Sequence, residues 1–395
     1  MALSYNRQMA EEELGNENAG KMAEVEGIRA SLLAWYDVNR RDLPWRNTRD
    51  PYAIWVSEIM LQQTRVAAVI ERFQEFLRNF PTVSSLANAR EQDVLAMWSG
   101  LGYYRRARML LEAAQAVVRE YRGVMPRTAA ALRGLPGIGV YTSAAIASIA
   151  FGEKVAVVDG NVERVIQRLA GWGSESRKEQ ADLAREISLR AGALLDPARP
   201  GDFNQAMMEL GATVCLPRKP LCLNCPLGNA CQTRGEHPTP PRAPMRSQDS
   251  GYALVIRSQS RHREVLLEQR PASMTVMSGM WELPSLRDAE VPPDEQRLAV
   301  RHAIMQVNYY ARIRTVFEDD VDALTIPSPL RQWVPLRELG KLPLTGLARK
   351  VLLRAGIPEL AHLPPDPVVS SAAHGLFAKR KQPAAQQELG GIAGQ

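Results

Sequence analysis

Two acidic side chains lie beside apolar runs, where a carboxyl group could act as an acid or as a stabilising anion. Glu58 lies two turns into a predicted helix that also carries Trp55 and Ile59. Burial among apolar side chains raises the pKa of a carboxyl group, which suits a general acid near neutral pH. A salt bridge from Glu58 to Arg65 or another basic residue is the alternative interpretation. The other carboxylate, Asp159, follows an apolar run just before a predicted helix, and this position alone favours a helix N-cap.

The four cysteines of the chain all fall between residues 215 and 231. Cys215, Cys222, Cys225 and Cys231 follow the spacing C-x6-C-x2-C-x5-C, and an intracellular chain would keep them reduced rather than paired in disulfides. Zinc suits four thiolates, but structural zinc sites more often use two C-x2-C pairs, and only one is present here. The spacing therefore favours a 4Fe–4S cluster over zinc.

The segment from Leu135 to Thr142 contains two glycines, Gly137 and Gly139, at the start of an apolar helical run. We expect so tight a turn to need the freedom of glycine at positive φ. It would also expose backbone N–H groups at a helix N-terminus, where a phosphate can bind without its base being read. A plain turn between two helices is an equally good interpretation, because Pro-Gly and Gly-x-Gly are common turn sequences.

The composition is that of a globular chain long enough for two domains, with 395 residues, of which 45% are hydrophobic and 23% charged. The net charge of +6 favours an acidic partner such as nucleic acid, although many enzymes share such an excess. No apolar run approaches the roughly 20 residues that cross a bilayer, and no signal peptide is visible at the N-terminus. We expect a soluble, cytoplasmic protein without a membrane partner, and a monomer as the default.

These residues must be positioned by two domains whose sequence patterns predict different secondary structure. Helical spacing runs through residues 27–231, whereas strand-like alternation starts only after residue 250. We predict a disordered acidic tail over 1–26, an all-α domain over 27–231 with its cysteine loop at 215–231, a linker over 232–250, a smaller α+β domain over 251–360 and a disordered tail over 361–395. Besides the helix of Glu58, the pattern predicts helices over 83–98, 103–122, 140–151, 160–172, 177–191 and 203–214. In the second domain it predicts a hairpin from 252–256 and 265–267, a strand over 309–317 and a helix over 344–353.

Taken together, these features resemble the helix–hairpin–helix DNA glycosylases that carry an iron–sulfur loop, and within them the adenine DNA glycosylases (the MutY family). The resemblance is dense over residues 27–231 and loose over 251–355. The matching motifs are Leu43–Arg46, Trp55–Thr64, Gly100–Tyr104, Leu135–Gly139, Val158–Val162, Phe203–Ala206 and the cysteine spacing. The family excises adenine mispaired with 8-oxoguanine, so the resemblance implies double-stranded DNA containing adenine opposite 8-oxoguanine or guanine as the partner.

The resemblance also implies how the bond to adenine would break. Cleavage through an oxocarbenium-like sugar needs an acid for the leaving purine and an anion for the sugar. The family match makes Glu58 the catalytic acid and Asp159 the anion, with Tyr141 and Asn161 positioning them. Endonuclease-III-type relatives carry a lysine nucleophile where this chain has Tyr141. Tyrosine cannot form a Schiff base, so we expect a monofunctional enzyme that leaves an abasic site and an intact strand.

Other matched residues would surround the extruded nucleotide. In the family, the residue matching Tyr103 intercalates into the base stack, those matching Leu61, Gln63 and Thr64 lie beside the orphaned partner base, and those matching Trp45, Arg46 and Gln205 form the adenine pocket. Gly137 and Gly139 would bind a DNA phosphate. We also expect Arg105, Arg106 and Arg108 to face phosphates, although a solvated helix face gives the same pattern.

The second domain resembles the Nudix-like C-terminal domain of that family over residues 265–284. It lacks the glutamate cluster that ligates magnesium in true Nudix hydrolases, so we expect no nucleotide hydrolysis. The family reads 8-oxoguanine through a His-x-Phe-Ser-His segment, which corresponds here to His302, Ile304, Met305 and Gln306. Because only the first histidine is retained, selectivity for 8-oxoguanine would be weaker or differently built.

Two other classes remain possible from the sequence. The first is a bifunctional pyrimidine-lesion glycosylase and lyase, which Tyr141, Glu58 and the second domain disfavour. The second is a catalytically inert module that binds damaged DNA, which the presence of both Glu58 and Asp159 disfavours.

Overall fold

A computed structural model describes residues 22–172, 180–237, 244–259, 262–274, 276–304, 306–357 and 360. Eleven helices of the first domain fall within these residues. They are α1 (22–39), α2 (Pro51–Leu61), α3 (Val66–Asn79), α4 (Val83–Ala87), α5 (Glu91–Met97), α6 (Arg105–Tyr121), α7 (Ala129–Leu132), α8 (Val140–Phe151), α9 (Gly160–Leu169), α10 (Gln180–Leu194) and α11 (Pro200–Thr213). In the described part of the chain, no helix is long and apolar enough to cross a membrane.

Helix α2 lies at the centre of the first domain, since every residue from Tyr52 to Met60 is buried. Asp50 caps its N-terminus by accepting the backbone N–H groups of Tyr52 and Ala53, and Pro51 occupies the first helical position. Helix α8 packs against α2 and is itself buried from Thr142 to Ile149. A helix that is apolar on all sides belongs inside a domain, so these two helices form a rigid base for the side chains they carry.

Two glycines let α11 approach its neighbours closely. A Cβ atom at Gly201 would lie 2.7 Å from the backbone oxygen of Ser148 in α8, and one at Gly211 would lie 2.6 Å from Cβ of Asn161 in α9. Both distances are shorter than real contacts allow, so glycine is required at these crossings. The close approach holds α11 against α8 and the start of α9.

Among its described residues, the second domain has seven strands in two sheets. These strands are β1 (Arg246–Leu254), β2 (Ile256–Gln259), β3 (His262–Gln269), β4 (Trp281–Glu282), β5 (Gln296–Ile304), β6 (Val307–Thr315) and β7 (Arg331–Pro335). One sheet has the order β1-β6-β5, and in the other β3 pairs with β2, β4 and β7. Two helices, α12 (Val321–Leu324) and α13 (Gly346–Arg354), complete the domain, and α13 packs on the core shared by the sheets.

The loop before β4 docks the second domain onto the first. Met280 is fully buried and belongs to the apolar core of the helical domain, while Nη2 of Arg108 donates a 2.5 Å hydrogen bond to the backbone oxygen of Ser278. The hydroxyl of Tyr104 donates to the backbone oxygen of Leu344 at 3.3 Å. The two domains therefore share a packed interface.

The change from a helical first part to a second part with strands and most of the predicted helices are confirmed, with four corrections. Helix α1 begins at residue 22, inside the expected tail, because its apolar face packs at residues 28, 32, 33 and 36. The helix expected over 83–98 is two helices, separated at residues 88–90. Strand β1 begins at Arg246, inside the expected linker, because it pairs in parallel with β6. The predicted hairpin forms between β2 and β3, one strand later than the apolar run of β1 had indicated. Most of the predicted tails (1–21 and 361–395), together with 238–243 of the linker and Met305, lies outside the described residues.

Candidate active site

One pocket of about 590 Å³ collects nearly all of the predicted site residues of the first domain. Glu58, Tyr141, Asp159 and Asn161 line it. So do six of the seven residues predicted to contact the substrate, namely Trp45, Arg46, Leu61, Gln63, Thr64 and Gln205. Residues that are far apart in sequence meet here because α2, α8, α9 and α11 converge on this point.

Glu58 is a buried carboxyl group in the wall of the pocket, with 5% of its surface exposed. Burial raises its pKa to about 7; the hydrogen bond from Tyr141 lowers the pKa, the charge of Asp159 raises it and the charge of Arg46 lowers it. The hydroxyl of Tyr141 donates this bond to Oε2 of Glu58 at 2.6 Å. Arg65 is exposed at the start of α3, and Tyr141 is the hydrogen-bond partner of Glu58. A carboxyl group with such a pKa can hold a proton at neutral pH and release it to a base.

Asp159 both caps a helix and faces the pocket. Its Oδ1 atom accepts the backbone N–H groups of Asn161 and Val162 at 2.9 and 2.8 Å, which makes it the N-cap of α9. Its Oδ2 atom accepts Nδ2 of Asn161 at 2.9 Å. The capping interpretation and the active-site interpretation are therefore compatible, because the cap fixes a carboxylate that lines the pocket.

Asn204 fixes the backbone of the segment that leads into Asp159. Its side chain donates to the backbone oxygen of Val155 and to Oγ of Ser148, both at 2.9 Å, and accepts the backbone N–H of Val157 at 3.0 Å. The segment that leads into Asp159 is thus held on α8 and α11. The motif around residue 204 had indicated Gln205, and its neighbour Asn204 proves to be the structural anchor.

Sequence reasoning missed an ion-paired cluster in the pocket wall, formed by Arg41, Arg46 and Glu209. The side chain of Glu209 is 1% exposed and accepts hydrogen bonds from both guanidinium groups. A carboxylate between Met208 and Leu210 carries the same signal that singled out Glu58, namely a charge within an apolar helix. Gln62, whose Nε2 atom donates to Oγ1 of Thr142 at 3.3 Å, is a further lining residue that the sequence did not single out.

Tyr103 is not among the residues that line the pocket, although it lies beside the segment that does. It is 51% exposed and has a φ of 47°, while Gln63 in the facing loop has a φ of 56°. Non-glycine residues rarely adopt this left-handed conformation, and strained residues cluster at functional sites. Both residues are therefore exposed on constrained loops.

Arg106 is a half-buried connector rather than a phosphate ligand, which corrects the expectation for that residue. Its guanidinium donates to the backbone oxygens of Ile59 and Gln62, both at 2.6 Å, and of Leu101 at 2.9 Å. It also lies 5.7 Å from the ring centroid of Tyr103. Arg106 thus joins the C-terminus of α2, which carries Glu58, to the loop that carries Tyr103. The expectation for Arg108 is also wrong, because it bonds Glu91 and the second domain.

The predicted phosphate-binding turn joins α7 to α8. Gly137 has a φ of 70°, and a Cβ atom there would lie 2.8 Å from Cβ of Met109. Gly139 is the N-cap of α8 with a φ of −88°, so it does not need positive φ, contrary to the expectation for both glycines. A Cβ atom at Gly139 would meet open space, so the N-terminus of this 12-residue helix is accessible to a ligand.

The four cysteines line one small cavity, and none of the four is paired in a disulfide. Burial raises the pKa of the Cys225 thiol, and the nearby thiols of Cys215, Cys222 and Cys231 raise it too. Within the described residues, no group of three or more Cys, His, Asp or Glu is close enough to hold a single metal ion. A zinc ion needs all four sulfurs about 2.3 Å away, whereas a cubane cluster spreads them around a larger core. Four thiol groups around one cavity are a donor set that both kinds of metal centre use.

Two arginines of α9 contact the cysteine loop. Arg168 is buried and donates to Sγ of Cys215 at 3.3 Å and to the backbone oxygen of Leu216 at 2.7 Å. Arg164 donates to the backbone oxygen of Cys215 and to Oδ1 of Asn161, both at 2.9 Å. The cysteine loop is thereby connected to the start of α9.

The residues predicted to read the lesion lie at the tip of the hairpin formed by β5 and β6. His302 is 8% exposed, its pKa is lowered to about 4 by burial, and its Nδ1 atom has no partner among the described residues. Ile304 is half-buried, Gln306 is exposed, and Met305 lies outside the described residues. Of these residues, the described ones (His302, Ile304 and Gln306) do not line the pocket of Glu58.

Comparison with known proteins places this architecture in a family. Residues 56–189 match the HhH-GPD superfamily of base excision DNA repair proteins. A solved structure entitled a thermostable thymine-DNA glycosylase is 32% identical, with a TM-score of 0.50 over 54% of this chain and 98% of that chain. The chain therefore belongs to the HhH-GPD superfamily of base excision DNA repair proteins.

Curated relatives extend the similarity into the second domain. The adenine DNA glycosylase of Homo sapiens is 40% identical over 321 residues, which cover 67% of this chain and 58% of the human protein. The adenine DNA glycosylase of Mus musculus is 41% identical over 329 residues, which cover 70% of this chain and 63% of the mouse protein. The chain thus spans about three fifths of the length of these relatives.

Proposed function

We propose that this chain is a monofunctional adenine DNA glycosylase that extrudes adenine opposite 8-oxoguanine or guanine in double-stranded DNA and leaves an abasic site. The observation that carries the proposal is the buried Glu58, hydrogen-bonded to Tyr141 in the same pocket as Asp159. The similarity to adenine DNA glycosylases supports adenine as the base.

In this mechanism, Glu58 gives its proton to a ring nitrogen of adenine as the bond from the sugar to the base breaks. The electron pair of that bond leaves with the base, and the sugar becomes an oxocarbenium-like cation. Asp159 stabilises the cation, since Asn161 and the start of α9 hold its carboxylate towards the pocket. Water then adds to the sugar and gives a proton to the carboxylate of Glu58, which completes hydrolysis and restores the acid.

Tyr141 supports a monofunctional reaction. A lyase needs an amine that attacks the sugar and forms a Schiff base. The described residues that line the pocket include no lysine, and Tyr141 is bound to Glu58. We infer that the product keeps an intact strand until alkali cleaves it.

The remaining contacts with DNA are those that the family resemblance implies. Tyr103 would enter the base stack. Leu61, Gln63 and Thr64 would lie beside the base that had paired with the extruded adenine. The turn with Gly137 and Gly139 would bind a backbone phosphate. The hairpin tip with His302, Ile304, Met305 and Gln306 would approach 8-oxoguanine in this Nudix-like domain. An enzyme with this substrate would act as a monomer in the cytoplasm, on the DNA of the nucleoid.

We further propose that Cys215, Cys222, Cys225 and Cys231 hold a 4Fe–4S cluster. Such a cluster would fix the conformation of the loop between residues 215 and 231, because all four ligands come from that loop. A cluster of this kind can also take part in electron transfer. The cavity that these four residues share supports this assignment.

Single-turnover assays on matched duplexes test the proposal. The duplexes carry adenine opposite 8-oxoguanine, adenine opposite guanine, adenine opposite thymine, and thymine opposite guanine. We expect strand breaks only after alkali, fast with adenine opposite 8-oxoguanine, slower opposite guanine and absent opposite thymine. Release of thymine instead of adenine, or tight binding without base release, would overturn the proposal. Trapping of a covalent adduct by borohydride would contradict the monofunctional mechanism.

A further inference from the structure

Glu209 binds two arginines at the wall of the pocket. Arg41 donates from Nε to Oε1 and from Nη2 to Oε2, both at 2.7 Å, and Arg46 donates from Nη2 to Oε2 at 2.7 Å. Burial of Glu209 would raise its pKa, but the hydrogen bonds and charges of the two arginines outweigh burial and lower the pKa to about 2. Glu209 therefore stays ionised throughout the neutral range.

These bonds fix the guanidinium of Arg46. Its Nη1 atom also donates to the backbone oxygen of Arg41 at 3.0 Å, and its carbon Cζ lies 5.5 Å from the ring centroid of Tyr36. Only 9% of the Arg46 side chain is exposed. A guanidinium has five N–H donors, and the two bonds described leave donors for an acceptor in the pocket that Arg46 lines. A ring nitrogen of a purine is such an acceptor.

The charges in the pocket explain why this carboxylate matters to Glu58. The charged and titratable groups that line it, in the described chain, are Arg41, Arg46, Glu58, Tyr141, Asp159 and Glu209. Arg46 favours the ionised form of Glu58, which is the form that cannot donate a proton. The negative charge of Glu209 offsets one of the two positive charges and so limits this effect.

We propose that Glu209 is a positioning residue, which holds Arg46 as a hydrogen-bond donor to the extruded purine and offsets the arginine charges beside the general acid Glu58. This inference rests on the proposed function, because it assigns a role within the same pocket. It adds a residue that never needs to touch the substrate.

The substitution Glu209→Gln tests both parts of the proposal, with Asp202→Asn as the matched control. Asp202, which is also on α11, pairs with Arg49 and Arg199, but it lies outside the pocket. Loss of the charge should lower the pKa of Glu58, so the fall of the single-turnover rate at high pH should begin at lower pH. A downward movement by about one pH unit lowers the rate about tenfold on that limb. Asp202→Asn should keep the wild-type profile.

Glu209→Asp separates charge from position and serves if Glu209→Gln folds poorly, with circular dichroism monitoring the fold. Its shorter carboxylate should leave the pH limb in place while the maximal rate falls. A double-mutant cycle with Arg46→Met should show that Glu209→Gln lowers the maximal rate little further once Arg46 is gone, because Glu209 positions the purine through Arg46. Unchanged pH profiles in folded variants, or additive losses in the cycle, would overturn the inference. If the wild-type chain excised no adenine, the proposed function itself would fail instead.

Discussion

The hydroxyl of Tyr141 and the carboxyl group of Glu58 are joined by a 2.6 Å hydrogen bond that crosses from α8 to α2. Tyr141 is nearly buried, and the pKa of its hydroxyl is raised well above the usual value by burial and by the neighbouring Glu58. The tyrosine therefore remains a hydrogen-bond donor at every pH at which the enzyme would work. It orients one oxygen of the proposed acid without competing for the proton.

Substitution of Tyr141 by phenylalanine should move the pH profile upward. Burial already raises the pKa of Glu58 to about 7, and the hydrogen bond from Tyr141 opposes that rise. Without the bond the pKa should rise further, so Glu58 stays protonated to higher pH. Single-turnover rates measured across the neutral and alkaline range should show the high-pH limb displaced upward, together with a lower maximal rate from lost orientation. A downward displacement would contradict the assigned role.

Substitution of Asp159 by asparagine should separate its two roles. Asparagine is as good an N-cap as aspartate, so α9 and the melting temperature should be nearly unchanged. Loss of the negative charge beside the sugar should reduce the single-turnover rate by about 10³-fold or more. The control is Asp50→Asn, the same change at the N-cap of α2, which should retain activity. Equal rates in both variants would show that Asp159 only caps.

The two glycines of the proposed phosphate turn should respond differently to alanine. Gly137→Ala places a methyl group at positive φ and against Met109, so we expect a loss of stability of about 1–3 kcal/mol in thermal unfolding. Gly139→Ala should leave stability almost unchanged, because its φ is ordinary and the space is open. If a phosphate binds here, Gly139→Ala should still weaken DNA binding. Unaltered affinity in a stable Gly139→Ala protein would argue for a plain turn.

Replacement of Arg106 by methionine should uncouple base extrusion from duplex binding. The change removes the donors that hold the backbone oxygens of Gln62 and Leu101 together, and we expect a loss of stability of about 2–4 kcal/mol. A fluorescent adenine analogue should report less extrusion, while the affinity for the duplex changes little. Arg105→Met is the matched control, since Arg105 is exposed one residue away. Equal extrusion in both variants would leave Arg106 with a purely structural role.

Replacement of a cysteine tests the proposed cluster. The purified chain should be brown, contain about four irons, and absorb in the thiolate-to-iron charge-transfer region. Cys225→Ser should lower the iron content and the melting temperature together. A colourless protein that contains zinc would refute the cluster.

Sequence reasoning predicted the parts of the site that reside in local patterns. Glu58 could be found because a carboxyl group within an apolar helix is unusual. Gly137 could be found because a backbone with positive φ favours glycine. The Arg41–Glu209 pair could not be predicted, since it joins residues that are 168 positions apart. Such a pairing depends on how α11 crosses its neighbours, which local spacing does not encode.

The fate of the arginines after Tyr104 shows the same limit. In the sequence, Arg105, Arg106 and Arg108 look like one basic helix face. In the structure Arg105 is exposed, Arg106 is turned into the interior and Arg108 reaches the second domain. The direction of each side chain is set by tertiary packing, because carbonyl groups without helical partners at the end of α2 accept the guanidinium of Arg106.

The docking of Met280 into the helical core has a consequence for how the chain can be divided. A fragment that stops after the cysteine loop would expose to water the apolar surface that Met280 covers, and it would tend to aggregate. The helical half and its companion are best regarded as interlocked, so heating should melt them in a single step. Variants in which the second domain is exchanged or deleted would need polar substitutions on that exposed apolar surface.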